Sequence, residues 1–560
     1  MHEAVPHAAL LVLFVGLMTM IGSAPSEAAK LEMNSTQWAF VHGQWQQDAN
    51  GIITAPGDDT EEKLAFFTEN AYQDFDAEFE FRWDATSTTA GFIFRAQDAR
   101  HYYVVDFPTV GQSYRAENFW ATVAKVDERG WREGLHMQPV HGVSSAIRIW
   151  HKARVKVAGN QIRVWVDGRP LAVVRDDTYA GAGYIGLATY TAGWGGGGVR
   201  PQSSFRNLRI QGHKSLGQPW DPSIQPRRTW TALGAFGGRA GTRLGRDADG
   251  TLLAQGAGGW TPTVLMMSQD NGRTWTPAEG YGDIPMHLGP GNRWERYSLV
   301  TQHNPFSVAV SRQVSTDKGN TWSELEQLGE FSAFPEKYAF TDRSGIEQDG
   351  LLQMKDGTLL LYGFTYTPST SAVRGGRYFT SGSYLQGMNF CMRSTDGGNT
   401  WTGPYDLDGP PYDDDAWLMA KEALEVSMAE TIGGRLMALI RPAKAQTMWE
   451  STSDDGGVTW TPLSHGPFPM YASVNSMVGT QSGALIIGGR FPGISLQVSH
   501  DGGMTWTFYT IDPGALWANG AMMEVEPDVV LYIYGGPDIP NVELRYQLFR
   551  VTATGLEPVQ

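Results

Sequence analysis

Alternation with period two dominates residues 31–213. Phe75, Ala77, Phe79, Phe81 and Trp83 fall on one face of a predicted strand, with Asp76, Glu78, Glu80 and Arg82 on the other. Gly91-Phe92-Ile93-Phe94 and Tyr102-Tyr103-Val104-Val105 read as further strands. Val155 and Val157, then Ile162, Val164 and Val166, flank a Gly159-Asn160 turn, and Asp167-Gly168 closes the next hairpin. Two stacked antiparallel sheets bury such faces most economically, so the pattern predicts a β-sandwich of jelly-roll type. Residues 214–227 contain Pro219 and Pro222 without periodicity and read as a linker.

A repeat organises the remainder, residues 228–558. The phrase Ser-x-Asp-x-Gly-x-Thr-Trp occurs at Ser268–Trp275, Ser315–Trp322, Ser394–Trp401, Ser453–Trp460 and Ser499–Trp506. Its tryptophans lie 47, 79, 59 and 46 residues apart, a spacing that suits four-stranded units with loops of variable length. The phrase is that of a hairpin turn: Asp accepts backbone N–H bonds, Gly takes a left-handed conformation and Trp packs beneath. Asp270, Asp317, Asp396, Asp455 and Asp501 are therefore structural rather than catalytic. A second register runs through Asp249-Gly250-Thr251-Leu252, Asp356-Gly357-Thr358-Leu359, Gly433-Gly434-Arg435-Leu436, Ser482-Gly483-Ala484-Leu485 and, in degenerate form, Asp528-Val529-Val530-Leu531. Counting back one strand reaches Arg239, Glu347, Glu425 and Asn519, with Asn475 just short of the window. Arginine, acids and amides facing one axis would be costly if dry, so a wet ligand-binding funnel is expected there.

Composition narrows the function. The 560 residues are 41% hydrophobic and only 18% charged, which excludes disorder. The 67 glycines favour turns and an all-β architecture. A formal charge of −16 excludes nucleic acid as a partner and requires any anion site to be built locally. Residues 1–28 hold an apolar run, Ala8 to Gly22, followed by small residues, and read as a signal peptide; a secreted or periplasmic protein with no membrane span after cleavage is expected. Cys391 is the only cysteine, so no internal disulfide forms. No metal-ligand spacing, nucleotide loop or redox motif stands out, and neither a cofactor nor a metal is expected.

The phrases Gly91–Ala96, Val164–Gly168 and Phe205–Ile210 resemble the concanavalin-like or laminin-G-like domains attached to secreted sugar-active proteins. That resemblance implies either a carbohydrate-binding module or a stabilising spacer. The repeated phrase is the Asp box, also called the BNR repeat, and residues 228–558 resemble the sialidase (neuraminidase) superfamily of six-bladed β-propellers. Five boxes plus a blade closed by both chain ends would complete the ring.

The resemblance implies three arginines that grip a substrate carboxylate, since the guanidinium fork pairs bidentately and keeps its charge. Arg239 precedes the first Asp-Gly-Thr-Leu-Leu phrase, Arg441 ends the run that begins at Glu425, and Arg490 stands ahead of the last box. Two family features are not matched. The loop from Gln255 to Thr263 holds no acid, and the last inner strand begins Leu516-Trp517-Ala518-Asn519-Gly520 where a nucleophilic tyrosine belongs. Tyr532 and Tyr534 lie further along and read as packed or wall residues. Glu425 and Glu347, with Asp349 beside the latter, are the acids that would do the chemistry as a carboxylate pair. His303, Asn304, Glu295 and Arg296 are weaker candidates.

The reading is an exported exo-glycosidase that hydrolyses a terminal acidic, sialic-acid-like sugar from glycans. A non-catalytic glycan-binding propeller and a glycosidase or lyase of changed specificity stand as alternatives.

Overall fold

The alternating run is realised in a 21-residue strand, Lys63–Trp83. Phe75, Ala77, Phe79, Phe81 and Trp83 are buried along its second half, while the charged residues between them stay half-buried. Phe79 stacks on Phe92 at 4.8 Å and Phe81 on Phe107 at 4.5 Å between ring centroids. Each buried ring contributes roughly 1.5–3 kcal/mol of hydrophobic stabilisation. The first half of the strand pairs with Gly183–Thr191 and Trp38–Val41, the second with His151–Ala158 and Ser203–Ser215. One strand thus serves both layers of the sandwich. The predicted hairpin at Asp167-Gly168 forms, with both residues at positive φ.

The structure is a computed structural model that describes residues 29–30, 37–57, 61–109, 119–193, 200–215, 217–237, 241–257, 265–301, 307–332, 345–366, 387–407, 423–442, 447–469, 472–515, 517–536 and 541–559. The signal segment, residues 1–28, lies outside them. Among the described residues no helix is long and apolar enough to cross a membrane. The only helical elements described are two three-residue 3₁₀ turns, so the chain is all-β as expected.

After the sandwich come antiparallel meanders whose first strands pack side by side from Trp294–Thr301 to Trp517–Glu526, the last also against Gly241–Arg246, the arrangement of a β-propeller. The expectation of six separate blades is corrected: among the described residues the meanders fall into five hydrogen-bonded sheets, one of them eight-stranded. A single pairing, Gly387 with Ala423, joins two four-strand meanders into that double unit. The ring closes as expected through both ends, Thr231–Gly237 pairing with Asn541–Val551.

One connection was not foreseen. Thr507–Asp512, outermost in its meander, pairs with the sandwich strand Arg132–Pro139 through Phe508–Gly134, Tyr509–Glu133 and Thr510–Arg132. The Ala472–Asp512 meander and the sandwich thereby share an 18-stranded sheet.

Candidate active site

The Asp boxes behave as scaffolding. In each, the Asp carboxylate accepts a Thr hydroxyl at 2.6 Å and the same threonine's N–H at 2.8–2.9 Å. Trp275, Trp401, Trp460 and Trp506 donate their indole N–H to the box glycine's carbonyl. The residue between Asp and Gly also has positive φ, being Asn271, Lys318, Gly397, Gly456 and Gly502 in turn. Two consecutive left-handed residues explain why Gly or Asn fills four of these five positions.

The first strands of the meanders carry the informative irregularity. Gly241–Arg246 and Trp294–Thr301 pair with their neighbours in unbroken register. The other four slip. Register shifts fall between Ile346 and Leu351, Ala423 and Val426, Ala472 and Met477, and Trp517 and Ala521. Glu347 and Asp349, Glu425, Asn475 and Asn519 lie within these four intervals. A bulge releases a residue from the ladder and re-aims its side chain, and bulges are frequent beside active sites. The side chains of Glu347, Asp349, Asn475 and Asn519, and the whole of Arg239, fall outside the described residues.

Glu425 and Arg441 are brought together. They face each other across adjacent strands, with Arg441 Nη1 at 3.0 and 2.6 Å from the two carboxylate oxygens of Glu425. Arg441 is buried and Glu425 half-buried, at the end of a ladder rather than in a core. Arg490 is the counterpart of Arg441 in the next meander. Arg441 comes five residues after Leu436 and Arg490 five after Leu485, the residues that open their strands. Both are more than nine-tenths buried.

Tyr532 and Tyr534 are fully buried, as expected of packed residues. The Tyr532 ring lies against Gly488 and Gly520, where a Cβ would meet it at 2.8 and 2.6 Å. Burial pushes its phenol upward, opposed by Ser476 and the nearby positive charge of Arg490. Tyr534 donates to Asp512 at 3.1 Å, and Asp512 pairs with Arg545 at 2.9 Å, in a buried network that sequence reading missed.

Glu295 belongs to a structural network. Its carboxylate is fully buried and meets Tyr297 at 2.7 Å, Arg293 at 2.7 Å, His287 at 3.1 Å and Arg312 at 3.6 Å. Burial alone would raise it; the donors prevail and hold it at about 2. Arg296 stacks on Trp322 at 4.2 Å and reaches Asp283 at 3.2 Å. His303 and Asn304 lie outside the described residues. A cavity of about 250 Å³ sits in the seam between sandwich and propeller, lined by Glu62, Arg132, Trp230, Asp512 and Arg545 among others. Two of its arginines are matched by carboxylates, Arg132 by Glu62 and Asp106 and Arg545 by Asp512, Arg100 and Arg227 donate to backbone carbonyls, and none of the predicted site residues lines it.

Two families match separate stretches of the chain. Residues 32–211 match a 3-keto-alpha-glucoside-1,2-lyase-like domain. The repeats match a second family, over residues 296–546. That stretch of the propeller is a BNR repeat-like domain. A search of curated proteins finds no match. Among solved structures, the NanB sialidase of Streptococcus pneumoniae is similar at 12% identity and a TM-score of 0.38, over 85% of this chain and 94% of that one. The Penicillium chrysogenum alpha-L-arabinanase is similar at 14% identity and TM-score 0.38, over 57% and 98%. The carbohydrate-binding module CBM66 of Bacillus subtilis is similar at 15% identity and TM-score 0.25, over 31% and 95%. Glycoside hydrolases are thus among the structural neighbours of the BNR repeat-like domain, at low identity.

Proposed function

We propose that this protein is an exported exo-glycosidase whose BNR repeat-like domain removes a terminal acidic, sialic-acid-like sugar from glycans. The observation that carries the reading is the matched register of Arg441 and Arg490 in neighbouring meanders, with Glu425 against Arg441. Two guanidinium forks repeated at one level suit a carboxylate ligand, and Glu425 orients the first of them. Arg239 would supply the third fork. Glu425 and Glu347 are the proposed catalytic acids. One protonates the leaving oxygen as the anomeric C–O bond breaks, a water oxygen takes that oxygen's place on the anomeric carbon, and the water's proton passes to the carboxylate pair. Asp349, Asn475 and Asn519, on the same slipped strand starts, would complete the funnel wall.

The burial of Tyr532 and Tyr534 favours a second reading, a site that binds acidic glycans without turning them over. Assay of the full chain against fluorogenic sialosides at mildly acidic pH, beside uronide and arabinoside substrates, separates the two. Arg441→Ala is expected to weaken acidic-glycan binding about 100-fold, the loss of a charged bidentate contact of about 2–3 kcal/mol. Turnover by the parent protein that R441A abolishes supports the hydrolase. Binding without turnover supports the second reading, and R441A with unchanged affinity and turnover refutes both.

A further inference from the structure

The turn that bears Arg490 is built against the other domain. Gly193, at the end of the sandwich strand Gly183–Thr191, has φ +122°, and a Cβ there would overlap the carbonyl oxygen of Arg490. Ala192, beside it, forms a buried cluster with Trp120 of the sandwich and Phe491 of the propeller, and Met137 packs against that cluster. Trp120 and Phe491 meet edge to face, 6.2 Å between centroids at 67°. On its other side the turn is tied to its own meander: the Ser495 hydroxyl donates to the Phe491 carbonyl at 3.2 Å. A Cβ on Gly493 would lie 2.9 Å from Pro513 Cα and 3.0 Å from the Asp512 carbonyl. That partner segment ends the strand Thr507–Asp512, which pairs with sandwich strand Arg132–Pro139. Backbone crowding, an aromatic contact and a shared sheet edge therefore converge on four residues, Arg490 to Gly493.

We propose that the sandwich domain positions Arg490: Gly193 and Trp120 fix the backbone from which this guanidinium reaches an acidic sugar. The inference rests on reading Arg490 as a carboxylate ligand. It makes the amino-terminal domain a wall of the propeller's site rather than a separate glycan-binding module. Gly193 and Trp120 are positioning residues that act through Arg490. Only glycine can approach the Arg490 carbonyl this closely, so any side chain at 193 must push the turn away from the funnel. A misplacement near 1 Å is enough to lose most of a bidentate contact.

The test compares full-length Gly193→Ala, Trp120→Ala, Trp120→Phe and Arg490→Ala with the parent, using N-acetylneuraminate and its uncharged methyl ester as probes. Gly168→Ala is the control, because that glycine also has positive φ but open space around its Cβ. The parent is expected to prefer the acid over the ester, and R490A to lose that preference. G193A and W120A should lose about tenfold of it, while W120F and G168A retain it, all with thermal melting that shows a folded chain. Loss of the preference in R490A, with G193A and W120A folded and unchanged, overturns the positioning role and leaves the arginine's assignment intact. An unchanged preference in R490A overturns the assignment itself and the inference with it. If G193A does not fold, W120A against W120F decides, since a purely structural defect would weaken acid and ester alike.

Discussion

Replacing Glu295 with glutamine tests whether an acid singled out in the sequence is scaffold rather than catalyst. The carboxylate has no exposed surface and answers to Tyr297, Arg293, His287 and Arg312, while Gly289 packs so tightly against it that a Cβ could not be accommodated. Holding a carboxyl at about 2 instead of 4.5 corresponds to roughly 3 kcal/mol of folding stability at neutral pH, at ~1.4 kcal/mol per tenfold change in proton affinity. The sign follows from the depressed value. The stabilisation is complete above about pH 4.5, where the unfolded carboxyl is also ionised, and is lost as pH falls through about 2. The glutamine side chain cannot ionise, so it forfeits that roughly 3 kcal/mol and leaves Arg312 with Glu326 as its carboxylate partner. Urea denaturation followed by tryptophan fluorescence should therefore show E295Q about 3 kcal/mol less stable at pH 7, with the gap narrowing towards pH 2.5. Activity per folded molecule should match the parent. A gap below about 1 kcal/mol at pH 7, or one that stays constant into acid, would refute the reasoning; lost activity in a fully folded variant would return Glu295 to the candidate chemistry.

The Asp boxes and the single thiol give two further checks. The Thr hydroxyls and then the Thr N–H groups hold Asp317, Asp396 and Asp501 at about 2, so the stability they supply is present above about pH 4 and declines as pH falls towards 2; acid titration of Asp396→Asn against the parent should show a smaller acid loss in the variant. Burial pushes the Cys391 thiol up to about 12, so a chromogenic disulfide reagent at pH 8 should leave it unmodified in the folded chain and titrate one thiol in denaturant.

Much of this architecture could be read because it is written in short periods. Phe75 to Trp83 alternate in the sequence and in burial alike, and the five boxes carry their hydrogen-bonding partners within eight residues. Arg441 and Arg490 were identified by the phrases around them, and their common register follows from the equal distance to Leu436 and Leu485. The strand slips were not legible, because a bulge changes pairing without changing composition. Glu347, Asn475 and Asn519 were located by counting, which finds a strand's start but not its irregularity. The union of two meanders through Gly387 and Ala423 left no trace in the pattern either, as one backbone pairing requires no particular side chain. The domain seam was hidden for a similar reason: Arg132–Pro139 is intermediate in burial almost throughout and shows no alternation. Gly193 stands just before Gly195 to Gly198, and nothing in that composition singles it out. What set it apart was its proximity to a carbonyl nearly three hundred positions later in the chain, and no local rule conveys that.

The pairing of Thr507–Asp512 with Arg132–Pro139 also covers two sheet edges at once. A sheet rim with unsatisfied amides is a template for any passing extended chain, and isolated propellers and sandwiches must each guard such rims with charge, proline or short length. Here two exposed rims cancel one another within a single polypeptide. Separating the lobes by proteolysis or by recombinant truncation would therefore uncover two adhesive borders at once, so each half is expected to self-associate more readily than the intact chain.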